Sequence, residues 1–548
     1  MKSRFRVIGS IGLVAGVVSI LAGCGKVPVG APPTNSGTNS SASSSSSSSS
    51  SSQNITVAFP YQPDTLDPNV TGQAISGMID RNIVDTLVWI NAKGQPTPDL
   101  ATKWTINSAK TVYTFTLRKG VKFQDGTPFN AAAVVFNINR IENPATKSQG
   151  AISDLGPFKS VKALSEYKVQ ITLKQPFAPL LTYLGTPNLG ILSPTAVQKE
   201  GGQAMATKPV GTGPFEVAKW VPQQEVVLKR NPNYNWAPPA LQHSGPAYLN
   251  TITFKFVQNA QNRVSALQTG EAQAIDTVPP TSFDSLKQNP NFTTYDTPYP
   301  GTPRYIAFNT SLWPTNDVKV RQALEYAVDR PGVIKVADSG VYSVAWGPLQ
   351  KGTIGYNPSF TGMYAYNVNK ATSILQQDGW SKLNGKWTKN GKTLSVSIYA
   401  ISGVEDWTNI ATAVQAYLQQ FGVDAKVVAL AEPAWYAAIM KGSADNMTAT
   451  YFMGTDPDIL RSLFTPGAFG NWSLYNDPTV TKELNQASQI TSMSSRLAIY
   501  DKVQKTIMDQ AVMMPIYNEG DLFATSKNLT GLTFDMSGYP VYLSAKMN

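Results

Sequence analysis

The residues most often recruited for chemistry are scarce in this chain, which has a single histidine, His243, and a single cysteine, Cys24. One of each cannot furnish the three or four nitrogen and sulfur ligands of a zinc site. The two also make a poor nucleophile and base, because Cys24 ends an apolar amino-terminal segment and His243 sits in Pro- and Gly-rich surface-type sequence. The carboxylates offer one conspicuous grouping, Asp456-Pro457-Asp458. A glycosidase sets two acids roughly 5–9.5 Å apart across its substrate, whereas two residues of one loop rarely stand on opposite sides. Gly211-Thr212-Gly213 is a poor phosphate cradle: Pro214 removes an N–H donor, no Gly-Lys-Ser/Thr follows, and the next element reads as extended. Aromatic residues are plentiful instead (11 Trp, 23 Tyr, 21 Phe) and charged ones make up only 15%. Abundant aromatics without catalytic groups point to binding rather than catalysis.

Hydrophobic periodicity supplies the elements that must position such residues. In the stretch 112–140, Tyr113, Phe115 and Leu117 alternate with Val112, Thr114 and Thr116, Asp125-Gly126 turns, and Asn130 caps a helix. On that helix Ala131, Val134, Val135 and Ile138 share one face. Strands are expected at 55–59, 161–173, 225–229 and 251–257, and helices through Ile83, Leu87 and Val88 and over 262–270. Asp317 caps a further helix with Val320, Ala323, Leu324 and Ala327 buried, Arg321 pairing with Glu325, and Pro331 ending the run. Helices at 371–375 and 410–421, a strand at 423–428, a helix at 496–509 and a strand at 513–517 follow. Alternating helices and short strands predict α/β lobes, and 548 residues exceed one ordinary domain.

The first 23 residues carry Lys2, Arg4 and Arg6, then an apolar run from Val7 to Leu21, the pattern of a secretion signal too short to span a bilayer. It ends in Leu21-Ala22-Gly23-Cys24, which looks like a lipobox, where bacterial lipoproteins are lipidated on cysteine and cleaved just before it. Residues 24–53 follow as a Ser-rich tether, with ten serines at 43–52, too polar to build a core. About 29 flexible residues span on the order of 30 Å, a leash above a bilayer. The formal charge is +10, of which Lys2, Arg4 and Arg6 supply three. The remaining basic residues are dispersed in runs of no more than two, unlike a nucleic-acid footprint.

The order of residues adds a resemblance. Leu117-Arg118-Lys119-Gly120-Val121-Lys122-Phe123 with Asp125-Gly126, Pro128 and Asn139-Arg140 resembles the hallmark of the bacterial extracellular solute-binding proteins of family 5, the oligopeptide, dipeptide and nickel transporter class. Ala132-Ala133 replace the acidic pair usual there. Thr65-Leu66-Asp67-Pro68, the segment 98–104, the blocks 210–215 and 228–234, and the block Asp317 to Arg330 are similar to further family elements, so the likeness covers nearly everything after the tether.

What the resemblance implies is an α/β, two-lobed periplasmic-binding-protein-like fold (type II, cluster C) with an extra inserted domain. The first lobe would comprise 54–97, 210–303 and 521–548, the inserted domain 98–209, and the second lobe 304–520. The function implied is the substrate-binding lipoprotein of an ABC importer, a monomer without cofactor or enzymatic activity. It would stand at the cell surface or in the periplasm, anchored by lipidated Cys24, and hand peptides to permease and ATPase subunits. Residues implied to face the cleft are Tyr61, Trp407, Tyr451, Phe452, Asp456 and Asp458. In peptide-binding members an Asp near the last loop neutralises the peptide ammonium, a charge-assisted pair in a closed cleft; here that position falls on Met453. Either Asp456 takes over the role or the ligand lacks a free ammonium, as a nickel complex or oligosaccharide would. A glycan-binding surface module is the alternative outside this class.

Overall fold

The computed structural model describes residues 52–403, 405–442 and 446–548; Cys24, the leader and nearly all of the tether lie outside the described residues. Three sheets organise the rest. The largest has seven strands in the order Phe292–Pro298, Gly520–Ser526, Ala274–Ile275, Asn54–Phe59, Thr251–Phe256, Glu225–Arg230 and Phe215–Val221. Asn54–Phe59 is parallel to both of its neighbours and the other pairs are antiparallel. A six-stranded sheet runs Ser343–Val344, Met513–Asn518, Arg304–Phe308, Met447–Thr450, Ser395–Ile401, Asp424–Leu430. Its strand Ser395–Ile401 is parallel to the strands on either side. The chain passes between these sheets at two short joints, residues 299–303 and residue 519. The third sheet is antiparallel, in the order Ala101–Ile106, Val112–Leu117, Lys168–Leu173, Phe158–Ser165.

Helix Ala131–Glu142 lies on that third sheet. Asn130 caps it by accepting from the Ala133 N–H at 3.1 Å. Tyr113, Phe115 and Leu117 turn inward as the alternation requires and are at most 2% exposed; each contributes about 1.5–3 kcal/mol by burial. The helix's inner face differs from the pattern in one place. Val135 is only half-buried, and Asn137 is buried instead. Its amide donates to the Leu192 carbonyl at 2.8 Å and accepts from the Leu192 N–H at 3.0 Å, so a polar side chain stitches the helix to the following loop.

Four other expectations change. The single strand expected at 161–173 is a hairpin of two, Phe158–Ser165 and Lys168–Leu173. The helix near Ile83 is Ala74–Asp80, whereas Ile83 and Leu87 are buried in the turn that follows and Val88 opens a strand, Val88–Ile90. Arg321 does not pair with Glu325. It donates to the carbonyls of Thr315, Gln510 and Ala511, while Glu325 binds Arg330 at 2.5 Å. Both arginines are buried, and unpaired carbonyls at a chain reversal compete well for a guanidinium. Pro331 begins a helix, Arg330–Asp338, rather than ending one, because the preceding helix already stops at Ala327. Proline suits a first helical turn, where its missing N–H leaves no bond unmade.

Gly211 and Gly213 have a packing role. A Cβ on Gly211 would sit 2.3 Å from the Ile83 carbonyl oxygen, and one on Gly213 2.5 Å from the Ile83 carbonyl carbon. The Gln124 amide clasps the same crossing, binding the Gly211 N–H at 2.9 Å and the Ile83 and Phe215 carbonyls at 2.9 and 2.7 Å. Thr212, Tyr234 and Trp236 all donate to the buried Asp85, at 2.8, 3.1 and 3.0 Å. The glycine-containing motif is thus a close backbone contact rather than an anion site.

Candidate functional site

Tyr451 and Phe452, two of the side chains expected from the sequence, lie against the first joint between the two large sheets. Arg304 opens a strand of the second sheet immediately after the first joint. Its guanidinium is buried between Glu519 of the second joint, at 2.6 Å, and Asp406, at 2.8 Å. Burial works against that charge, but Glu519 and Asp406 more than offset it and hold Arg304 charged above its ordinary range. Its guanidinium lies 3.7 Å from the ring centre of Tyr451, a cation–π contact. Tyr451 in turn meets Trp407 edge-on at 6.4 Å, Trp407 meets Trp435 at 5.4 Å, and Trp435 meets Trp472 at 4.8 Å. Phe452 packs on Trp472 at 4.5 Å.

Tyr61, just beyond the strand Asn54–Phe59 of the first sheet, is 54% exposed. Burial of its hydroxyl end, then Asp276, Tyr451 and Asp521, push its pKa upward, which brings Tyr61 and Tyr451 into one neighbourhood. Asp276 and Asp521 lie beside the joints as a buried carboxylate pair. Thr277 donates its N–H to Asp521 at 3.2 Å and its hydroxyl to Asp276 at 3.0 Å, leaving one oxygen of each without a protein partner. Burial first, and Asp276 second, raise Asp521 well above its ordinary value. Trp407, Tyr451 and Phe452 belong to one aromatic cluster, with Trp407 itself mostly covered at 7% exposure, and Tyr61 lies near enough to Tyr451 for the two to interact electrostatically.

Asp456 and Asp458 stand apart from that group. Asp456 is fully buried, receives Arg496 on both oxygens at 2.6 and 3.0 Å, and also accepts from the Thr182 hydroxyl and the Asp458 N–H. Asp458 is held by Arg461 at 2.6 Å and by the Tyr500 hydroxyl at 3.0 Å. Both carboxylates have their counter-charges within the protein, so the expectation that Asp456 meets a ligand ammonium does not fit its contacts. Met453 by contrast is 38% exposed. Pairing of Gly301 with Met453 and the Gly454 N–H donated to Pro300 at 2.9 Å hold it against the first joint.

Two cavities lie between separate parts of the chain. One of about 280 Å³ is lined by Met453, Gly454 and Ile459 from the second-sheet part, Gly72 and Tyr539 from the first, and Asp154, Tyr183 and Asn188 from the segment between. A larger one of about 840 Å³ lies between the Thr65–Val70 loop and helix Ala131–Glu142, where Arg140 grips Asp67 and Asn69. The Thr-Leu-Asp-Pro loop is thereby braced to that helix. Arg304, Glu519, Asp406 and Asp154 were not singled out by sequence. A single acid such as Glu519 in a loop gives no sign of its partner. No group of three or more His, Cys, Asp and Glu arranged to hold a metal occurs among the described residues. No helix among them is long and apolar enough to cross a membrane.

Comparison with known proteins agrees with this architecture. Residues 95–471 match the family model for bacterial extracellular solute-binding proteins, family 5 Middle. The glutathione-binding protein GsiB of Escherichia coli (strain K12) is 29% identical over 493 residues, covering 87% of this chain and 91% of its own. NikA from Brucella suis, solved with Fe(III)-EDTA, superposes with a TM-score of 0.78 at 25% identity, covering 90% of this chain and all of that one. DppA from Helicobacter pylori, solved with the peptide STSA, gives 0.69 at 26% identity over 90% of this chain and 98% of that one. Two sheets joined by paired crossings, an additional antiparallel sheet and a family match over most of the chain lead to one conclusion: the protein belongs to the family 5 bacterial extracellular solute-binding proteins.

Proposed function

We propose that this protein is the substrate-capturing subunit of an ABC importer, that it takes up a peptide or peptide-like solute between its two large sheets, and that lipidated Cys24 anchors it to the membrane. The observation that carries this reading is the aromatic row Tyr451, Trp407 and Phe452 set beside the two joints where the sheets can rotate toward each other, with Tyr61 of the first sheet's side nearby. Relatives named for glutathione and for a bound peptide support the class of solute. Closure supplies an apolar wall and excludes water, which strengthens whatever polar contacts the ligand makes. Tyr61, Trp407, Tyr451 and Phe452 form that wall; Asp456 and Asp458 brace the loop behind it.

The second reading, a solute without an ammonium such as a metal chelate, is favoured by Met453 and by the committed state of Asp456. Isothermal titration of the protein with glutathione, a tetrapeptide mixture, a metal–EDTA chelate and an oligosaccharide decides between them. Saturable heat with the first two, lost tenfold or more in Tyr451→Ala, is expected. Response to the chelate or sugar alone refutes the peptide assignment.

A further inference from the structure

The cavity bordered by Met453 holds a carboxylate that the aromatic wall does not use. Asp154 ends the short helix Gly150–Asp154 and keeps part of its surface open to the 280 Å³ space. One oxygen is fixed, accepting from the Asn188 amide at 3.1 Å and the Thr186 hydroxyl at 3.3 Å. The other has no hydrogen bond or ion pair among the described residues. The titratable side chains that share its lining are Tyr183 and Tyr539. The arginines that reach those tyrosines are already engaged, Arg461 by Asp458 and Arg81 by Asp535, each at 2.6 Å. Burial accordingly raises Asp154 to about 6, opposed only by the Asn188 and Thr186 hydrogen bonds.

A desolvated carboxylate without a counter-ion is costly unless something cationic joins it. Asp67, Asp456, Asp458 and Asp535 all have an arginine for that purpose. Asp154 has none, and it borders space contributed by all three sheet-bearing parts of the protein. We propose that Asp154 is the receptor for a cationic group, a primary ammonium or a guanidinium, on the captured solute. This rests on capture between the sheets and adds where the positive end of the solute goes. The charge sits against Asp154 and the Tyr183 and Tyr539 rings, in the cavity that Met453 also borders.

The test titrates wild-type protein and Asp154→Asn with glutathione, with its N-acetylated form, and with ethylammonium and methylguanidinium at millimolar concentration followed by NMR. Asparagine is nearly isosteric and removes a buried charge, so the fold is expected to persist. The expected result is a tenfold or greater loss of affinity for the ammonium- and guanidinium-bearing probes in Asp154→Asn, with the N-acetylated probe unchanged. Wild-type affinity for the cationic probes should also fall as pH drops through about 6, toward tenfold per unit, because protonation neutralises the receptor; this readout stands even if the variant fails to fold. Peptide binding that is equal in the two proteins and flat across pH 5–8 overturns the assignment while leaving capture intact. Failure of every cationic probe to bind wild-type protein overturns it as well, and binding of the chelate or sugar in that case assigns the failure to the class of solute.

Discussion

Replacing Asp456 by alanine distinguishes a ligand residue from a structural one. Arg496 is 2% exposed at its side chain, and Asp456 is its carboxylate partner, bound through both guanidinium nitrogens. Removal leaves a buried guanidinium with the Tyr500 hydroxyl and the Ala487 carbonyl as its remaining partners, the latter at 3.2 Å. Breaking a buried pair from one side costs about 3–5 kcal/mol. Thr182 also loses its acceptor, so the contact between helix Leu180–Tyr183 and the 456–458 loop loosens with it. With a urea m-value near about 3 kcal/mol per molar, the unfolding midpoint moves down by on the order of 1 M. The assay is urea unfolding by circular dichroism on wild type, Asp456→Ala, Arg496→Met and the double variant. The double variant should be less destabilised than the two single effects added, since neither charge then remains alone. An unmoved midpoint together with a tenfold loss of peptide affinity, about 1.4 kcal/mol, refutes the structural assignment and returns Asp456 to the ligand.

Three further outcomes are expected. Asp80 is fully buried with neither oxygen hydrogen-bonded, and burial, then Asp67 and Asp64, raise it well above the carboxylate range. The folded state therefore holds its proton more tightly than the unfolded state; stability falls as pH rises from about 4 toward the folded pKa, by up to about 1.4 kcal/mol per unit. Asp80→Asn should remove that part of the slope in urea titrations at stepped pH, and an identical slope in the variant counts against it. Gly213→Ala forces a Cβ to within 2.5–2.8 Å of the Ile83–Val84 backbone and should cost about 1–3 kcal/mol, read from the urea midpoint. Cys24→Ser should release the protein from the membrane fraction, and unchanged retention on fractionation refutes lipidation at that residue.

Local periodicity made much of the architecture legible. The strand Val112–Leu117 and helix Ala131–Glu142 follow from alternation, a turn and a capping Asn, all within thirty residues. What escaped depends on partners distant in sequence. Arg321 and Glu325 have the spacing of a helical ion pair, yet the Gln510 and Ala511 carbonyls and Arg330 take them. Asn137 carries no outward sign that its amide will bracket Leu192. Tyr61, Trp407, Tyr451 and Phe452 were expected at a cleft only from the resemblance to the family, not from local periodicity. Asp154 was not expected there, since an acid in Ala151-Ile152-Ser153-Asp154-Leu155-Gly156 looks like any surface turn until the emptiness beside it is seen.

The Arg304 guanidinium has a mechanical consequence. It joins the end of the first joint to Glu519, which is the second joint, and to Asp406 at the head of the long helix Glu405–Phe421. The two crossings between the sheets are thereby tied by one ion-pair network. One guanidinium at the end of the first crossing thus holds charges from the second crossing and from that helix, so removing Arg304 would release both at once.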